Sequence, residues 1–292
     1  MCIRDRQTGS TWRVRARAGA NNWSDWSDRA SFIVEAQIPS IVAAGVNNTC
    51  AYDGSLNCWG SISTINNNLP DIAQVEHLEI GFRHGCILAM DEVLCWGDNR
   101  DGQVIMPTLD NPIAVSAGHF NTCAVDDTGF VCWGLNSAGQ STPPNVDNAH
   151  AVSSNWFYSC GLYDNSVTCW GNIRSGLDSP PLLRNPHKIS TGRGHACVLD
   201  DDGVKCWGDN SSGQANVPVL DNPVAVSAGS YHTCAIDNSG VVCWGRNDFG
   251  QSTVPALVAP YDVSAGSDHT CAVDNLGVVC WGSNDRGQAE VP

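Results

Sequence analysis

The chain has 292 residues, of which 42% are apolar and 15% are charged, so it is long enough to bury a large core. Its formal net charge is −15, and a surface this acidic repels phosphate groups, which disfavours nucleic acids and anionic membranes as partners. The sequence contains no apolar run long enough to predict a membrane-spanning helix.

Residues 1–34 differ from the rest of the chain. The first six, MCIRDR, lack the apolar stretch of a signal peptide and read as a stray start, so we assign Cys2 no structural role. From Thr11 onward, TWRVRARAGANNWSDWSDRASFIVEA alternates polar and apolar residues like two strands around a turn. This stretch resembles the end of a fibronectin type III domain, with a WSxWS-like WSDWS at residues 23–27. The alternative is an N-terminal extension packed on the domain that follows.

The remaining residues, 35–292, form an internal repeat with a period of 37 residues, as between Cys58 and Cys95. Every unit contains the triplet CWG, whose cysteines are Cys58, Cys95, Cys132, Cys169, Cys206, Cys243 and Cys280. A second cysteine precedes each of these, at Cys50, Cys86, Cys123, Cys160, Cys197, Cys234 and Cys271. Only the first unit is out of phase, because its cysteines are one residue closer together.

Each unit predicts three short strands. The first contains an apolar residue eight positions before the first cysteine, in a stretch such as VSAG whose glycine allows a bend. A second strand such as HTCAVD leads through a turn rich in Asp, Asn and Gly into a third strand such as GVVCWG. Because that turn is short, the second and third strands are predicted to form a hairpin.

A unit of this length cannot bury its own faces, so the units must stack on one another. All-β repeats of about 40 residues build either propeller blades or turns of a β-solenoid. We predict an all-β, seven-bladed β-propeller, in which closure of the ring protects the strand edges, and keep an open solenoid as the alternative. The predicted blades cover about residues 35–70, 71–107, 108–144, 145–181, 182–218, 219–255 and 256–292.

The consensus AGxxHTCAVDxxGxVxCWGxNxxGQ resembles the repeat of the regulator-of-chromosome-condensation superfamily. The short period and the "VP" endings are most similar to a bacterial branch that includes a secreted β-lactamase-inhibitory propeller. The resemblance covers residues 35–292 and implies a seven-bladed propeller that binds proteins through its loops.

The two cysteines of each unit are predicted to bridge their own hairpin. Residues that face each other on antiparallel strands are close enough for disulfide geometry. The predicted pairs are Cys50–Cys58, Cys86–Cys95, Cys123–Cys132, Cys160–Cys169, Cys197–Cys206, Cys234–Cys243 and Cys271–Cys280. Zinc is the alternative, although its sites favour closer cysteine spacings. Disulfides need an oxidising compartment, so we expect an extracellular, periplasmic or cell-surface protein whose signal sequence is missing from this fragment.

Two other recurring polar positions have a structural and a metal-binding interpretation. Two residues before the first cysteine, four units carry His84, His195, His232 and His269, which we expect to bridge neighbouring blades rather than to bind metal. After CWG, five units carry a loop such as DNSSGQ, which we expect to form an Asx turn rather than a calcium loop. We predict no metal site and no cofactor.

The units disagree most at the two residues between the glycine bend and the second strand. Positions with a framework role recur in every unit, so this variable pair is free for binding. Exposed aromatic residues together with arginine are typical of protein-binding hot spots. The predicted partner-binding residues are Phe82, Arg83, His119, Phe120, Trp156, Phe157, Tyr158 and Tyr231. The alternative is that these rings pack between the blades.

These features predict a non-enzymatic, protein-binding propeller, monomeric and part of an exported or cell-surface modular protein. One alternative is a propeller enzyme, a lyase or hydrolase with its site on the ring axis. Convergent His and carboxylate groups on the axis would favour the enzyme, and a ring of small residues would favour the binding module. A guanine-nucleotide-exchange regulator is a third possibility, which the acidic charge and the cysteine pairs disfavour.

Overall fold

The computed structural model describes residues 40–61, 65, 69–72 and 74–292, together with the strands of residues 3–8 and 11–16. It divides into two units, Met1–Ile38 and Pro39–Pro292. In the first unit, β1 (Ile3–Thr8) pairs with β2 (Thr11–Ala16) in an antiparallel hairpin, so most of the supposed stray start belongs to a strand. The WSDWS sequence at residues 23–27, on which the fibronectin-like prediction rests, lies outside the described residues.

The second unit contains seven antiparallel sheets of three strands, each formed by consecutive strands. Blade by blade, the strands are β3 Ile41–Ala44, β4 Asn48–Tyr52, β5 Leu56–Gly60; β6 Val75–Ile80, β7 His84–Ala89, β8 Glu92–Gly97; β9 Ala114–Ala117, β10 Asn121–Asp126, β11 Gly129–Gly134; β12 Ala149–Ser154, β13 Tyr158–Tyr163, β14 Ser166–Gly171; β15 Lys188–Thr191, β16 His195–Asp200, β17 Gly203–Gly208; β18 Ala225–Ala228, β19 His232–Asp237, β20 Gly240–Gly245; and β21 Asp262–Ala265, β22 His269–Asp274, β23 Gly277–Gly282. The predicted seven-bladed, all-β propeller is confirmed.

The acidic residues at the hairpin turns have the structural role that the sequence indicates. In blade 7, the Asp274 carboxylate accepts backbone N–H groups from Leu276 inside the turn, at 2.7 Å, and from Val258 on the incoming segment, at 2.8 Å. The bond from the Val258 amide holds the pKa of Asp274 below its ordinary value. One carboxylate therefore closes the turn and also fixes the segment that enters the blade.

All seven predicted disulfides are present. In blade 3, Cys123 of β10 faces Cys132 of β11, and the Cα atoms are 4.1 Å apart. The first cysteine of each pair is fully buried against the neighbouring blade. Within the described residues, no group of three or more His, Cys, Asp or Glu side chains is arranged to hold a metal ion. Because the two cysteines of each hairpin are bonded to each other, they are not free to bind zinc. The zinc alternative is therefore wrong.

The hydrophobic core lies between blades. In blade 7, Val263 on the innermost strand packs against Cys234 and Ile236 of blade 6. Six of the seven tryptophans of CWG donate to a carbonyl in the loop of the preceding blade, as where Trp133 Nε1 donates to the Gln103 carbonyl at 2.9 Å. A blade therefore completes its core only with its neighbour.

The ring closes by the same contacts, made between blade 7 and blade 1. Trp59 Nε1 donates to the Gln288 carbonyl at 3.0 Å, and Thr49 Oγ1 donates to the same carbonyl at 2.9 Å. Val42 packs against Cys271 and Val273. The open solenoid is therefore excluded, and the ring is closed by side chains and loops rather than by a shared sheet.

The Asn-Gly-Gln loops that connect the blades are turns. In blade 3, the Asn136 Oδ1 accepts the Ser141 amide at 3.0 Å, and the Gln140 Oε1 accepts the Ala138 amide at 2.8 Å. Gly139 between them has φ 83°, which glycine adopts without strain. Gln140 is fully buried, which explains why this residue recurs. The turn interpretation therefore accounts for the loop.

The four recurring histidines are buried and bridge neighbouring blades. His232 Nε2 lies 2.9 Å from Thr270 Oγ1 of blade 7, and that hydroxyl donates to the Gln251 carbonyl at 2.9 Å. Since the hydroxyl proton goes to the carbonyl, the imidazole must be the donor through Nε2–H. The predicted bridge between neighbouring blades is therefore present, and its acceptor is a threonine hydroxyl.

Burial keeps these imidazoles neutral. It lowers the pKa of His84, His195 and His269 to about 4 and, together with its neighbours His269 and His195, lowers that of His232 to about 3. A histidine in the unfolded chain titrates near 6.5. Below that pH the unfolded chain binds protons that the folded ring cannot, so each histidine removes stability as the pH falls from about 6.5 toward 4.

The substitution His232→Asn is expected to make the protein less sensitive to acid. Asparagine already occupies this position in blade 3, where Asn121 bonds Ser159 of the next blade at 3.4 Å. One buried histidine contributes a slope of up to about 1.4 kcal/mol per pH unit, which the variant lacks. Urea unfolding of both proteins between pH 4.5 and 7 measures this slope. Equal slopes in the two proteins would show that His232 titrates normally.

Removing one disulfide with Cys123→Ser and Cys132→Ser is expected to lower the free energy of unfolding by about 2–3 kcal/mol, because the unfolded hairpin gains conformational freedom. Denaturant unfolding measures the loss, and mass spectrometry of the intact variant without reductant should show six remaining disulfides. Seven pairs of free thiols in the parent chain would contradict the assignment.

Candidate functional site

The variable pairs lie at one end of the ring, in the short loops between the first and second strands. Neighbouring loops contact each other: the Ser230 amide donates to the Ser267 carbonyl at 3.3 Å, and the Arg193 amide donates to the Ser230 carbonyl at 3.3 Å. The seven loops therefore form a continuous collar around the axis.

Blades 2, 3 and 4 carry a stack of rings on this collar. Phe82 stacks on His119 with centroids 5.8 Å apart, and His119 stacks on Trp156 at 4.6 Å. Trp156 also stacks on Phe157 at 5.5 Å, and Phe120 meets Phe82 edge-on at 5.7 Å. The rings contact one another across blade boundaries instead of entering the core. The structure thus brings together the residues that the sequence singled out in these blades.

Arginine side chains extend the stack into blades 5 and 6. The Arg193 guanidinium lies 5.3 Å from the Trp156 ring and 5.5 Å from the Tyr231 ring. Arg246 lies 5.7 Å from both Tyr231 and Phe249, and Arg83 lies 4.9 Å from Phe82. Such cation–π contacts hold flexible arginine side chains in place.

We call the resulting set the aromatic surface. It comprises Phe82, Arg83, His119, Phe120, Trp156, Phe157, Arg193, Tyr231, Arg246 and Phe249. Sequence reasoning missed Arg193, Arg246 and Phe249. Arg193 belongs to a variable pair, so the sequence could have identified it. Arg246 and Phe249 lie in the loop after CWG, which the sequence analysis interpreted only as a turn.

Tyr158 does not belong to the aromatic surface. It is 3% exposed, and its hydroxyl donates to the backbone carbonyls of Gly192 and His195 at 2.7 and 2.8 Å. It occupies the bridging position that histidine holds in other blades. The next blade has Ala196 where Thr usually accepts the bridge, so a longer side chain reaches the backbone instead. The prediction that Tyr158 contacts a partner is therefore corrected by its burial.

The aromatic surface combines rigid rings with exposed edges. Phe157 and Phe249 are 41% and 48% exposed, and the other rings are half-buried against one another. Burial, assisted by the nearby Arg193, lowers the pKa of His119 to about 4, so its ring is neutral at pH 7 and packs like an aromatic residue. The set offers large apolar area at low conformational cost.

The axis of the ring is an open channel of about 640 Å³ lined by the first strand of every blade. One mouth is bordered by the collar, including His119, Ser230 and Ser267. Serine and alanine are the commonest lining residues, but ionisable side chains line the channel as well, so it is not a ring of small residues alone. These ionisable residues are Glu76, His77, Glu79, His119, His150, His187, Lys188, Tyr261 and Asp262.

Comparison with protein families matches the regulator of chromosome condensation (RCC1) repeat at residues 187–214, 224–251 and 261–288, which lie in blades 5, 6 and 7. No curated protein matches the chain.

Solved structures share the fold. The CRINKLY WD40 ectodomain of the Arabidopsis thaliana receptor kinase ACR4 is 27% identical, with a TM-score of 0.67 over 85% of this chain and 96% of that one. The ectodomain of the Physcomitrella patens receptor kinase CR4 is 24% identical, with a TM-score of 0.68 over 84% and 73%. A chain in the complex of Kap60 with yeast RCC1 (Prp20) is 17% identical, with a TM-score of 0.66 over 96% and 87%. Blades 5, 6 and 7 thus match the RCC1 repeat, in a ring whose fold is shared with these propellers.

Proposed function

We propose that the propeller is the protein-binding module of an exported or cell-surface protein and that its partner binds to the aromatic surface. The observation that carries this proposal is the continuous stack of rings and guanidinium groups across blades 2 to 6, on one end of the ring. Trp, Tyr and Arg dominate binding hot spots because they bury large areas and also form polar contacts.

The chemistry of the surface favours a folded protein or peptide as the partner. Arg193 and Arg246 stand between aromatic rings, where they can still donate to carboxylates or carbonyls of a partner. Arg246 also lies 3.7 Å from the Asp268 carboxylate, so both charges border the collar. The complex of yeast RCC1 with Kap60 shows that a propeller of this fold occurs in a protein complex, which supports the proposal by analogy.

Two observations support the location. Seven disulfides form and persist in oxidising compartments. The two plant structures of the same fold are receptor kinase ectodomains. Among the described residues, no helix has the length and apolarity to cross a bilayer. We keep the resemblance to the bacterial short-repeat branch and to a fibronectin type III fragment as part of this proposal. The axial-site enzyme and the nucleotide-exchange regulator remain alternatives that these observations do not favour.

The triple variant Phe82→Ala, Trp156→Ala and Phe157→Ala is expected to reduce partner affinity at least about a hundredfold, because hot-spot truncations each cost about 2 kcal/mol or more. The partner is first captured from the native extracellular medium by the immobilised parent chain and identified by mass spectrometry. Its dissociation constant is then measured for both proteins by surface plasmon resonance.

The matched control removes exposed apolar side chains from the opposite mouth of the channel. Ile113, Val224 and Tyr261 are 52%, 53% and 47% exposed there, and all three are replaced by alanine. This control should bind like the parent, and both variants should unfold at the parent's midpoint. Binding that survives the first triple variant, or that fails only in the control, would place the interface elsewhere.

A further inference from the structure

At the inner edge of the ring, a serine of five blades makes the same hydrogen bond to the blade that follows. The first strand pairs only with the second, so its other edge faces the channel and the next blade. Seven residues before the first cysteine, serine accepts an edge amide of the following blade, as where Ser227 Oγ accepts the Ala265 amide at 2.9 Å. The same bond is made by Ser116, Ser153, Ser190 and Ser264.

Blade 2 has Glu79 at the position that this serine occupies in five other blades. Glu79 lines the channel, and among the described residues no hydrogen bond or ion pair reaches its carboxyl. Burial, reinforced by the nearby Asp262, raises the pKa of Glu79 to about 8. A group that makes no bond in the fold and is difficult to ionise does not stabilise the ring.

The position two residues before this serine also carries a small side chain in some blades and an ionisable side chain in others. Blades 3, 4 and 6 place Ala114, Ala151 and Ala225 there, whereas blades 2, 5 and 7 place His77, Lys188 and Asp262. The charges act on one another across the channel: Lys188 lowers the pKa of the Asp262 carboxyl against the larger effect of burial, and lowers that of His77 in the same sense as burial. These four ionisable groups share one cavity, which Glu76, His150 and His187 also line.

Hydrogen bonds to the backbone hold two of these charges in place. The Asp262 side chain is held in place because its carboxylate accepts two backbone N–H groups. These belong to Val42 of blade 1, at 3.0 Å, and to the adjacent residue Val263, at 2.9 Å. Glu79 is within Coulombic reach of it, so the two carboxyl groups make one acidic side. Lys188, whose Nζ donates to the Val224 carbonyl at 3.3 Å, makes a basic side. A cavity that contains both acidic and basic side chains suits a ligand that carries both a positive and a negative charge.

We propose that the axial channel binds a small zwitterion, a free amino acid or short peptide, with its ammonium group between Glu79 and Asp262 and its carboxylate at Lys188. A channel of about 640 Å³ is large enough for such a molecule. The ammonium supplies the donors that the Glu79 carboxyl lacks, and its charge favours ionisation of that carboxyl. This site is separate from the aromatic surface, and it does not depend on the protein partner.

The repeats themselves provide replacements that the fold accepts. Glu79→Ser restores the residue of five other blades, and Lys188→Ala and Asp262→Ala restore the residue of blades 3, 4 and 6. Saturation-transfer NMR is carried out on the full chain with an equimolar mixture of the twenty amino acids, Ala-Ala and Ala-Ala-Ala. Each compound that responds is then titrated calorimetrically against the parent and the variants.

At least one compound should bind the parent chain, and each charge-removing variant should raise its Kd about tenfold or more, because a charged hydrogen bond is lost. Ser227→Ala is the matched control, since blade 1 already has Ala43 at that position, and it should bind like the parent. The N-acetyl derivative and the methyl ester of the same compound should each bind more weakly.

Three results would overturn the proposal: no compound binds, binding is unchanged in Glu79→Ser and Lys188→Ala, or the blocked derivatives bind as tightly as the zwitterion. The aromatic triple variant should still bind the compound, and Glu79→Ser should still capture the protein partner. The two sites can therefore fail independently.

Discussion

The structure depends on a buried hydrogen-bonded bridge at the boundaries between blades, and at four of the seven boundaries this bridge is the same relay. A histidine of one blade donates to a threonine of the next, and that threonine donates to the loop carbonyl that also receives the tryptophan of CWG, as with His232, Thr270 and Gln251. The relay is buried and water cannot replace it, so it fixes both the spacing and the tautomer. A blade of 37 residues cannot bury a hydrophobic core of its own. Neighbouring blades share a core, which is formed by the relay together with contacts between Val and Cys side chains.

Much of this could be predicted from the sequence because the relay forces its residues to recur. Period, strand order, hairpin pairing and the seven disulfides follow from positions that every blade must fill. What could not be predicted are contacts whose partners differ from blade to blade. Tyr158 shows this: its aromatic neighbours Trp156 and Phe157 suggested a surface ring, although its position is that of the bridging histidines, and its hydroxyl donates to the backbone of the next blade. The guanidinium contacts of Arg193 and Arg246 likewise depend on distances between blades.

The seven blades thus act as internal controls for one another. A residue present in every blade is explained by the ring, and a residue confined to a few blades needs another explanation. By this criterion the collar departs from the repeat in blades 2 to 6, where rings stack on the surface. At the two first-strand positions compared above, blades 2, 5 and 7 depart from the repeat, because ionisable groups replace alanine or serine there.

The two departures differ in how far the fold itself provides partners for their groups. On the collar, rings and guanidinium groups contact each other, so the aromatic surface is organised before any partner arrives and little conformational freedom remains to be lost. In the channel, burial raises the pKa of Glu79, and its carboxyl has no hydrogen-bond partner among the described residues, whereas the serine of five other blades accepts an edge amide of the next blade. The fold alone therefore gives no reason for a glutamate at this position, and a ligand that donates to its carboxyl is the reason that we propose. The collar and the channel share a scaffold, but only the collar has its groups in contact with one another before a ligand binds.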